Sequence, residues 1–524
     1  MIKRIPHPAA AALIVLSSFF SAFAFQLSKE QTSDVVEIKR QIKQADKMYR
    51  QAIYPEAEKI LRSIVEKDGK NTPAKLKLAH VLLKRRLIVE AYELSFPIAV
   101  AEPNNSFALA VVGTVFLSAG RLKEARPLFY RAIQLNKREA LAWAGFGLLD
   151  FYENRIDEGV INLREAVIHD PDHADFTFSL AQVSARAERY AEAADAYQRF
   201  LTLSRDTDDE RRDRIKGLVM FLRFLGNRDA LYSTSGSDST KISFDLVGNR
   251  PVLKLRVNGR REPLNFVLDT GSGISVISFE TAKRLNIKPI TRGGFAKGIG
   301  GDGKFEIVYG FLKQLEIGDV RVRNIPVYIR KFHSQGVPVD GYIGLSVISK
   351  FLTTVDYGER EFTLDRRDNV IDAAGENIRS LPLRLTSSGF LSGEVAVGGL
   401  ENPVNFIVDT GASVSVISYE LAAIESIRVN ESSQRMRVVG AAGITEDVRS
   451  FMIPKISFGD HSRTKILAVA LDLDLINEAS GFEQGGILGG NFLKSYKLTF
   501  DFRNARVLFD PIAEVPLDPA IPLE

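Results

Sequence analysis

The segment Asn265-Phe266-Val267-Leu268-Asp269-Thr270-Gly271-Ser272 is written a second time, 140 positions later, as Asn405-Phe406-Ile407-Val408-Asp409-Thr410-Gly411-Ala412. Each copy is an apolar strand that ends in Asp-Thr-Gly. Each runs on into a second apolar stretch, Ser275-Val276-Ile277-Ser278 or Ser415-Val416-Ile417-Ser418. A single Asp-x-Gly is ordinary turn chemistry. Two in matching frames constrain the chain to a duplicated unit. Such units, related by a pseudo-twofold axis, would set Asp269 and Asp409 face to face.

Two carboxyl groups held about 3 Å apart cannot both ionise, so they share one proton and their ionisations spread apart. Those ionisations belong to the pair rather than to either residue. A pair of this kind supplies both the base that activates a water and the acid that protonates an oxyanion or a leaving amine. Gly271 and Gly411 allow a sharp turn and a close N–H. Thr270 and Thr410 can hydrogen-bond across the base of the pair and fix its spacing. A second matched feature follows in each half. Gly341-Tyr342-Ile343-Gly344-Leu345 precedes the strand-like Thr353-Thr354-Val355-Asp356-Tyr357 and Glu361-Phe362-Thr363-Leu364. Gly486-Ile487-Leu488-Gly489-Gly490 precedes Leu498-Thr499-Phe500-Asp501-Phe502 and Arg506-Val507-Leu508-Phe509.

Over residues 242–511 these features resemble the retropepsin-like aspartic proteases of the pepsin clan. Both halves lie in one chain, as in pepsin-like enzymes, but each is short, like a retroviral or bacterial unit. The resemblance implies an all-β, two-lobed fold with a first lobe at 242–368, a second at 378–511 and a substrate cleft between them. It makes Asp269 and Asp409 the catalytic pair, with Thr270, Gly271, Ser272, Thr410, Gly411 and Ala412 in the two supporting loops. The implied reaction is endopeptidase hydrolysis of a peptide or protein substrate, with no metal and no organic cofactor. It also implies a flap in each half, at Gly298, Ile299, Gly300 and Gly301 and at Gly440, Ala441, Ala442 and Gly443. Neither tip carries the tyrosine of a pepsin-like first flap, so retropepsin-like flaps are the nearer comparison. Ser272 is placed to donate to its neighbouring carboxylate and Ala412 is not. In the clan, alanine there accompanies activity nearer neutral pH, so the mixed pair implies a mildly acidic to neutral optimum. The first tip also matches G-x-G-x-x-G. A dinucleotide fingerprint requires a following helix, whereas Phe305-Glu306-Ile307-Val308-Tyr309 reads as a strand.

Upstream, Glu56, Glu90, Glu124, Glu158 and Glu192 recur every 34 residues, each followed by a small residue: Ala57, Ala91, Ala125, Gly159 and Ala193. Gly113 and Gly147, Ala132 and Ala166, and Phe129, Leu163 and Tyr197 keep the same period, with Trp143 and Pro171. This pattern resembles tetratricopeptide repeats. It implies an all-α solenoid over residues 34–230, with a groove for a peptide or protein partner. His169 and His173 could imitate a metal pair, but flanking Pro171 they read as solvated turn residues. The serine-rich stretch within 231–241 reads as a flexible linker, and residues 512–524 as a surface tail.

Composition closes off other classes. With no cysteine, disulfides, thiolate catalysis and cysteine-bound metals are excluded. A net charge of +4 gives no footprint for nucleic acid. Lys3 and Arg4, the apolar run that follows and Ala22-Phe23-Ala24 read as a signal peptide over residues 1–24. That predicts a periplasmic or secreted protein with no membrane span in the mature chain; the alternative is an uncleaved N-terminal anchor. The alternative function is a non-catalytic repeat adaptor that keeps a protease fold.

Overall fold

The computed structural model describes residues 34–204, 208–301, 303–333, 338–366 and 380–512. The expected signal peptide and all but the first residue of the expected tail lie outside them. No helix among the described residues is long and apolar enough to cross a membrane.

The first compact unit ends at Pro103. It holds α1 (34–50), α2 (Tyr54–Lys67), α3 (Thr72–Lys84) and α4 (Ile88–Ala101). Ala57 and Ala91 are fully buried, so adjacent helices meet over methyl groups rather than bulk. The periodic Glu90 has a job here: it takes a bidentate bond from Arg62 of the preceding repeat, at 2.6 and 2.9 Å.

The second unit begins at Asn104. Its helices are α5 (Ser106–Ser118), α6 (Leu122–Leu135), α7 (Ala140–Tyr152), α8 (Ile156–His169), α9 (Ala174–Arg186), α10 (Tyr190–Leu203) and α11 (Asp209–Gly226). Asn105 caps α5 by accepting the Ala108 N–H at 3.0 Å. The glycines of the repeat are spaces for aromatic and aliphatic neighbours. A Cβ on Gly113 would stand 2.7 Å from the Phe129 ring, and one on Gly147 would stand 2.8 Å from Leu163. Arg164 bridges to Glu192 at 2.7 Å, repeating the arrangement of Arg62 and Glu90. His173 departs from the solvated reading: it is buried and stacked on Phe176 at 3.7 Å. Among the described residues no cluster of three or more His, Asp or Glu could hold a metal ion.

The solenoid is followed by two β lobes. In the first, the strand Leu264–Leu268 runs antiparallel to Arg250–Val257 and parallel to Gly341–Ile343, pairing Val267 with Tyr342. In the second, Val404–Val408 runs antiparallel to Leu391–Val397 and parallel to Gly486–Leu488, pairing Ile407 with Ile487. Most of the second lobe forms its own eight-stranded sheet, but its last hairpin joins the sheet of the first lobe. Leu352–Asp356 of the first pairs antiparallel with Tyr496–Asp501 of the second, and Thr354 and Thr499 share a hydroxyl contact at 3.1 Å. Six strands from both halves thus lie side by side in one sheet.

The flexible-linker reading of 231–241 is corrected. Ser233–Gly236 is a strand paired with Val320 through Arg323, and Ser239–Val247 begins the lobe. Tyr232 is buried, and Thr240 Oγ1 accepts the Asp319 N–H at 3.0 Å. Short hydroxyl side chains fit a paired edge as well as they fit a linker, and composition does not separate the two.

Candidate active site

The two Asp-Thr-Gly turns meet on the pseudo-twofold axis. The Thr270 N–H donates to Thr410 Oγ1 at 3.2 Å, and the Thr410 N–H to Thr270 Oγ1 at 3.0 Å. Each hydroxyl then donates across the axis, Thr270 to the Val408 carbonyl and Thr410 to the Leu268 carbonyl, both at 2.7 Å. Both threonines are fully buried, and each hydroxyl is used once as acceptor and once as donor. This lattice fixes the distance between the strand ends that carry the acids.

Asp269 and Asp409 face each other, each carboxyl lying over the glycine of the opposite turn, and each keeps some contact with solvent. The Gly411 N–H donates to Asp409 Oδ1 at 2.7 Å. Glycine is obligatory in both turns because of the opposite acid. A Cβ on Gly271 would lie 2.4 Å from Asp409 Cγ, and one on Gly411 would lie 2.7 Å from Asp269 Cγ. Burial, and then the charge of Asp409, pushes Asp269 well above the ordinary carboxylate range, against the pull of Arg330. Burial also raises Asp409, opposed by the Gly411 N–H. The pair therefore keeps a proton to higher pH than an exposed carboxyl would, and that proton belongs to the two acids jointly.

The later glycine motifs brace these turns symmetrically. The Asp269 N–H donates to the Ile343 carbonyl at 3.0 Å, and the Asp409 N–H to Leu488 at 3.1 Å. Gly344 and Gly489 donate their N–H groups to Ser275 Oγ and Ser415 Oγ, each at 3.1 Å. Leu345 and Gly490 donate to the Ser272 and Ala412 carbonyls at 2.8 and 2.7 Å. Ser272 does not contact its carboxylate as expected. Its hydroxyl donates to the Ile274 carbonyl at 2.8 Å, inside its own turn. The Ser272/Ala412 difference therefore gives no direct handle on the acids, and the argument for the pH optimum drawn from it falls.

The flap candidates come together. The hairpin of Thr291–Lys297 and Lys304–Ile317 and that of Glu431–Val439 and Ile444–Phe458 meet at their tips. The Ala442 N–H donates to the Ile299 carbonyl at 2.9 Å and the Gly301 N–H to Ile444 at 3.2 Å. Gly298 and Gly440 close their own tips by bonding the Gly303 and Gly443 carbonyls at 2.9 and 2.8 Å. Gly300, at φ 94°, and Gly301, at φ 55°, take left-handed backbone, and Gly300 lies against the Gly443 carbonyl. Ala441 offers its carbonyl to Arg330. A strand follows the G-x-G-x-x-G segment, so the context of a dinucleotide loop is missing. Sequence reasoning missed Arg330 and Tyr342, both electrostatic neighbours of Asp269. Arg330 ends a strand that already carries Arg321 and Arg323, and nothing in the sequence marks it.

The chain carries two aspartyl protease family domains. The model described as aspartyl protease matches residues 253–347 and again 393–492, and a tetratricopeptide repeat model matches 144–208. The aspartyl protease matches enclose both Asp-Thr-Gly turns and both later glycine motifs. No curated protein matches the whole chain or any part of it. Among solved structures, a thermophilic TPR protein of Thermus thermophilus is 20% identical at a TM-score of 0.30, covering 35% of this chain and 99% of its own. PilF of Pseudomonas aeruginosa is 16% identical at a TM-score of 0.27, covering 36% of this chain and 84% of its own. YrrB, described as a TPR protein with an unusual peptide-binding site, is 19% identical at a TM-score of 0.22, covering 37% and 97%.

Proposed function

We propose that this protein is an aspartic endopeptidase. The observation that carries the reading is the facing of Asp269 and Asp409 across a reciprocal threonine lattice, each acid over the glycine of the opposite turn. In the free site the pair shares one proton; with that proton on Asp269, Asp409 is the base. A water between the acids loses a proton to Asp409 as its oxygen attacks the scissile carbonyl, and Asp269 gives its proton to the carbonyl oxygen. In the second half, Asp409 returns a proton to the leaving nitrogen, the C–N bond breaks, and Asp269 recovers a proton from the diol. No group outside the two carboxyls is needed for this proton traffic. The joined flap tips would exclude bulk water and bring backbone N–H groups to the peptide.

The test is cleavage of unfolded casein by the mature protein, with and without pepstatin, beside Asp269→Asn and Asp409→Asn. We expect loss of cleavage in both variants and in the inhibited sample; equal cleavage by all forms would remove the proposed site. The signal-like N-terminus supports an exported location, tested by fractionating cells that make the full chain. The repeats support capture of a protein substrate or partner.

A further inference from the structure

Arg330 is the last residue of the strand Val320–Arg330, held in register beside Ser278. Its side chain lies between the floor and the roof of the proposed cleft. Below, it acts electrostatically on Asp269. Above, its Nη1 reaches the Ala441 carbonyl at the tip of the opposite flap, at 3.4 Å. Three rings wall it in: Phe305 of the first flap hairpin, Phe332 and Tyr342, with centroids 5.4, 5.6 and 5.8 Å from the guanidinium carbon. Nε is shielded from solvent and has no hydrogen-bond partner. Among the described residues no carboxylate forms an ion pair with it.

A guanidinium has five N–H donors in a planar fork, and the hydrogen bond to Ala441 is long. A cation this poorly paired is costly to keep out of water. Aromatic faces stabilise the charge and hold its plane, but they accept no strong hydrogen bonds. The shared acid pair sits nearby, but it carries at most one negative charge while it holds its proton. What would complete the surroundings of Arg330 is a planar anion entering between floor and flap. The bidentate match of guanidinium to carboxylate fits that need.

We propose that Arg330 is a specificity-determining residue that binds a substrate carboxylate in the subsite flanking the scissile bond. This rests on the endopeptidase reading for the position of the bond, but not for the binding itself. Two sources supply the same chemistry: an internal Asp or Glu side chain, or the terminal carboxylate of the peptide.

The experiment profiles wild-type protein against a peptide library in which each position near the cut carries Glu, Gln or Leu, with the C-terminus free or amidated. We expect kcat/KM to favour Glu over Gln at one flanking position by at least about tenfold, the scale of a charged hydrogen bond. A preference for free over amidated ends would identify the terminal carboxylate as the source. Arg330→Gln should erase the discrimination, mainly through KM, and Arg330→Lys should restore part of it. In parallel, the affinity of Asp409→Asn protein for fluorescent Glu and Gln peptides is read by anisotropy, with and without Arg330→Gln. Cleavage without a carboxylate preference would overturn this inference and leave the endopeptidase standing. Absent cleavage with Arg330-dependent binding of carboxylate peptides would do the reverse. A shifted acid limb in Arg330→Gln with unchanged preference would reduce Arg330 to a counter-charge for Asp269 and also overturn the inference.

Discussion

One methyl group is enough to part the two acids. Gly271→Ala would drive a Cβ into Asp409, 2.4 Å from its Cγ, and the carboxyl is held by the turn rather than free to swing away. We expect this variant to fold and to lose at least about a hundredfold in kcat/KM, since small misplacements at a reacting centre cost that much. Asp269 itself should cost the fold stability. Its proton is held more tightly in the native chain than in the unfolded one, where the pKa is about 3.9. The native state therefore binds more protons between that value and the raised one, stability falls as pH rises through this window, and the deficit is complete above it. Asp269→Asn removes the deficit. Its Tm should exceed that of the wild type at about pH 8, and the gap should close near pH 3, read by calorimetry. Thr410→Val leaves the buried Thr270 N–H without its acceptor, for a loss of about 1–3 kcal/mol in urea unfolding, while Thr410→Ser should lose far less. These residues were legible because each repeats at the same offset in both halves. Ser272 misled because a turn serine can donate either to a carboxylate or to the backbone, and only the folded turn selects the Ile274 carbonyl. Arg330 has no counterpart in the second half, so the duplication that exposed the acids could not expose it.

At the scale of elements, α11 is the helix that packs on the first flap-candidate hairpin. Its Gly217 packs on the first flap hairpin so closely that a Cβ would lie 2.4 Å from the Arg292 carbonyl. Phe221 stacks on Tyr309 at 4.3 Å, Phe224 meets Phe311 edge-on at 5.6 Å, and Glu210 pairs with Lys304 at 2.9 Å. The outer face of the flap hairpin is therefore a helix surface. Phe221→Ala empties a site only 2% exposed, at a cost of about 3–5 kcal/mol. Because the hairpin it supports would also roof the proposed cleft, the same variant should raise KM for a short peptide. A stability loss with unchanged KM would separate α11 from the flap. The 34-residue period made α2 through α10 readable, since each small residue sits where two helices must touch. The helix spacing continues into α11, which packs on α10 as a repeat helix would, but α11 also lies against a strand hairpin. Its partner could not be read from helical spacing alone.

At the scale of the molecule, the repeats from Asn104 onward and the two lobes make one body. Arg384 donates to the Gly120 carbonyl at 2.9 Å, the Glu483 N–H to Ser118 at 2.9 Å, and Asn154 to the Phe502 carbonyl at 2.8 Å. Tyr152 lies against Phe482 at 5.0 Å and reaches Ser387 with its hydroxyl. The sequence suggested a helical module joined by a loose tether, because the repeat period and the duplicated frames are each complete without the other. What joins them is single contacts scattered over helix ends, which carry no periodic signal. The sheet shared by the two lobes was hidden for a similar reason: pairing Thr353 with Phe500 is set by assembly of two hairpins, not by local pattern. This architecture makes a sharp distinction between two truncations. A chain beginning at residue 231 loses α11 and α7 and uncovers Tyr309, Phe311 and Phe482 together. It should bind a hydrophobic dye, unfold at lower urea than the full chain and cleave poorly. A chain beginning at Asn104 keeps every one of those contacts, and residues 104–524 form a compact unit by themselves. It should unfold cooperatively and cleave short peptides with the full-length kcat, whatever it loses toward protein substrates captured by the first repeats. If the residue 231 chain matched the Asn104 chain in urea midpoint and kcat, the helices would be only a tether after all.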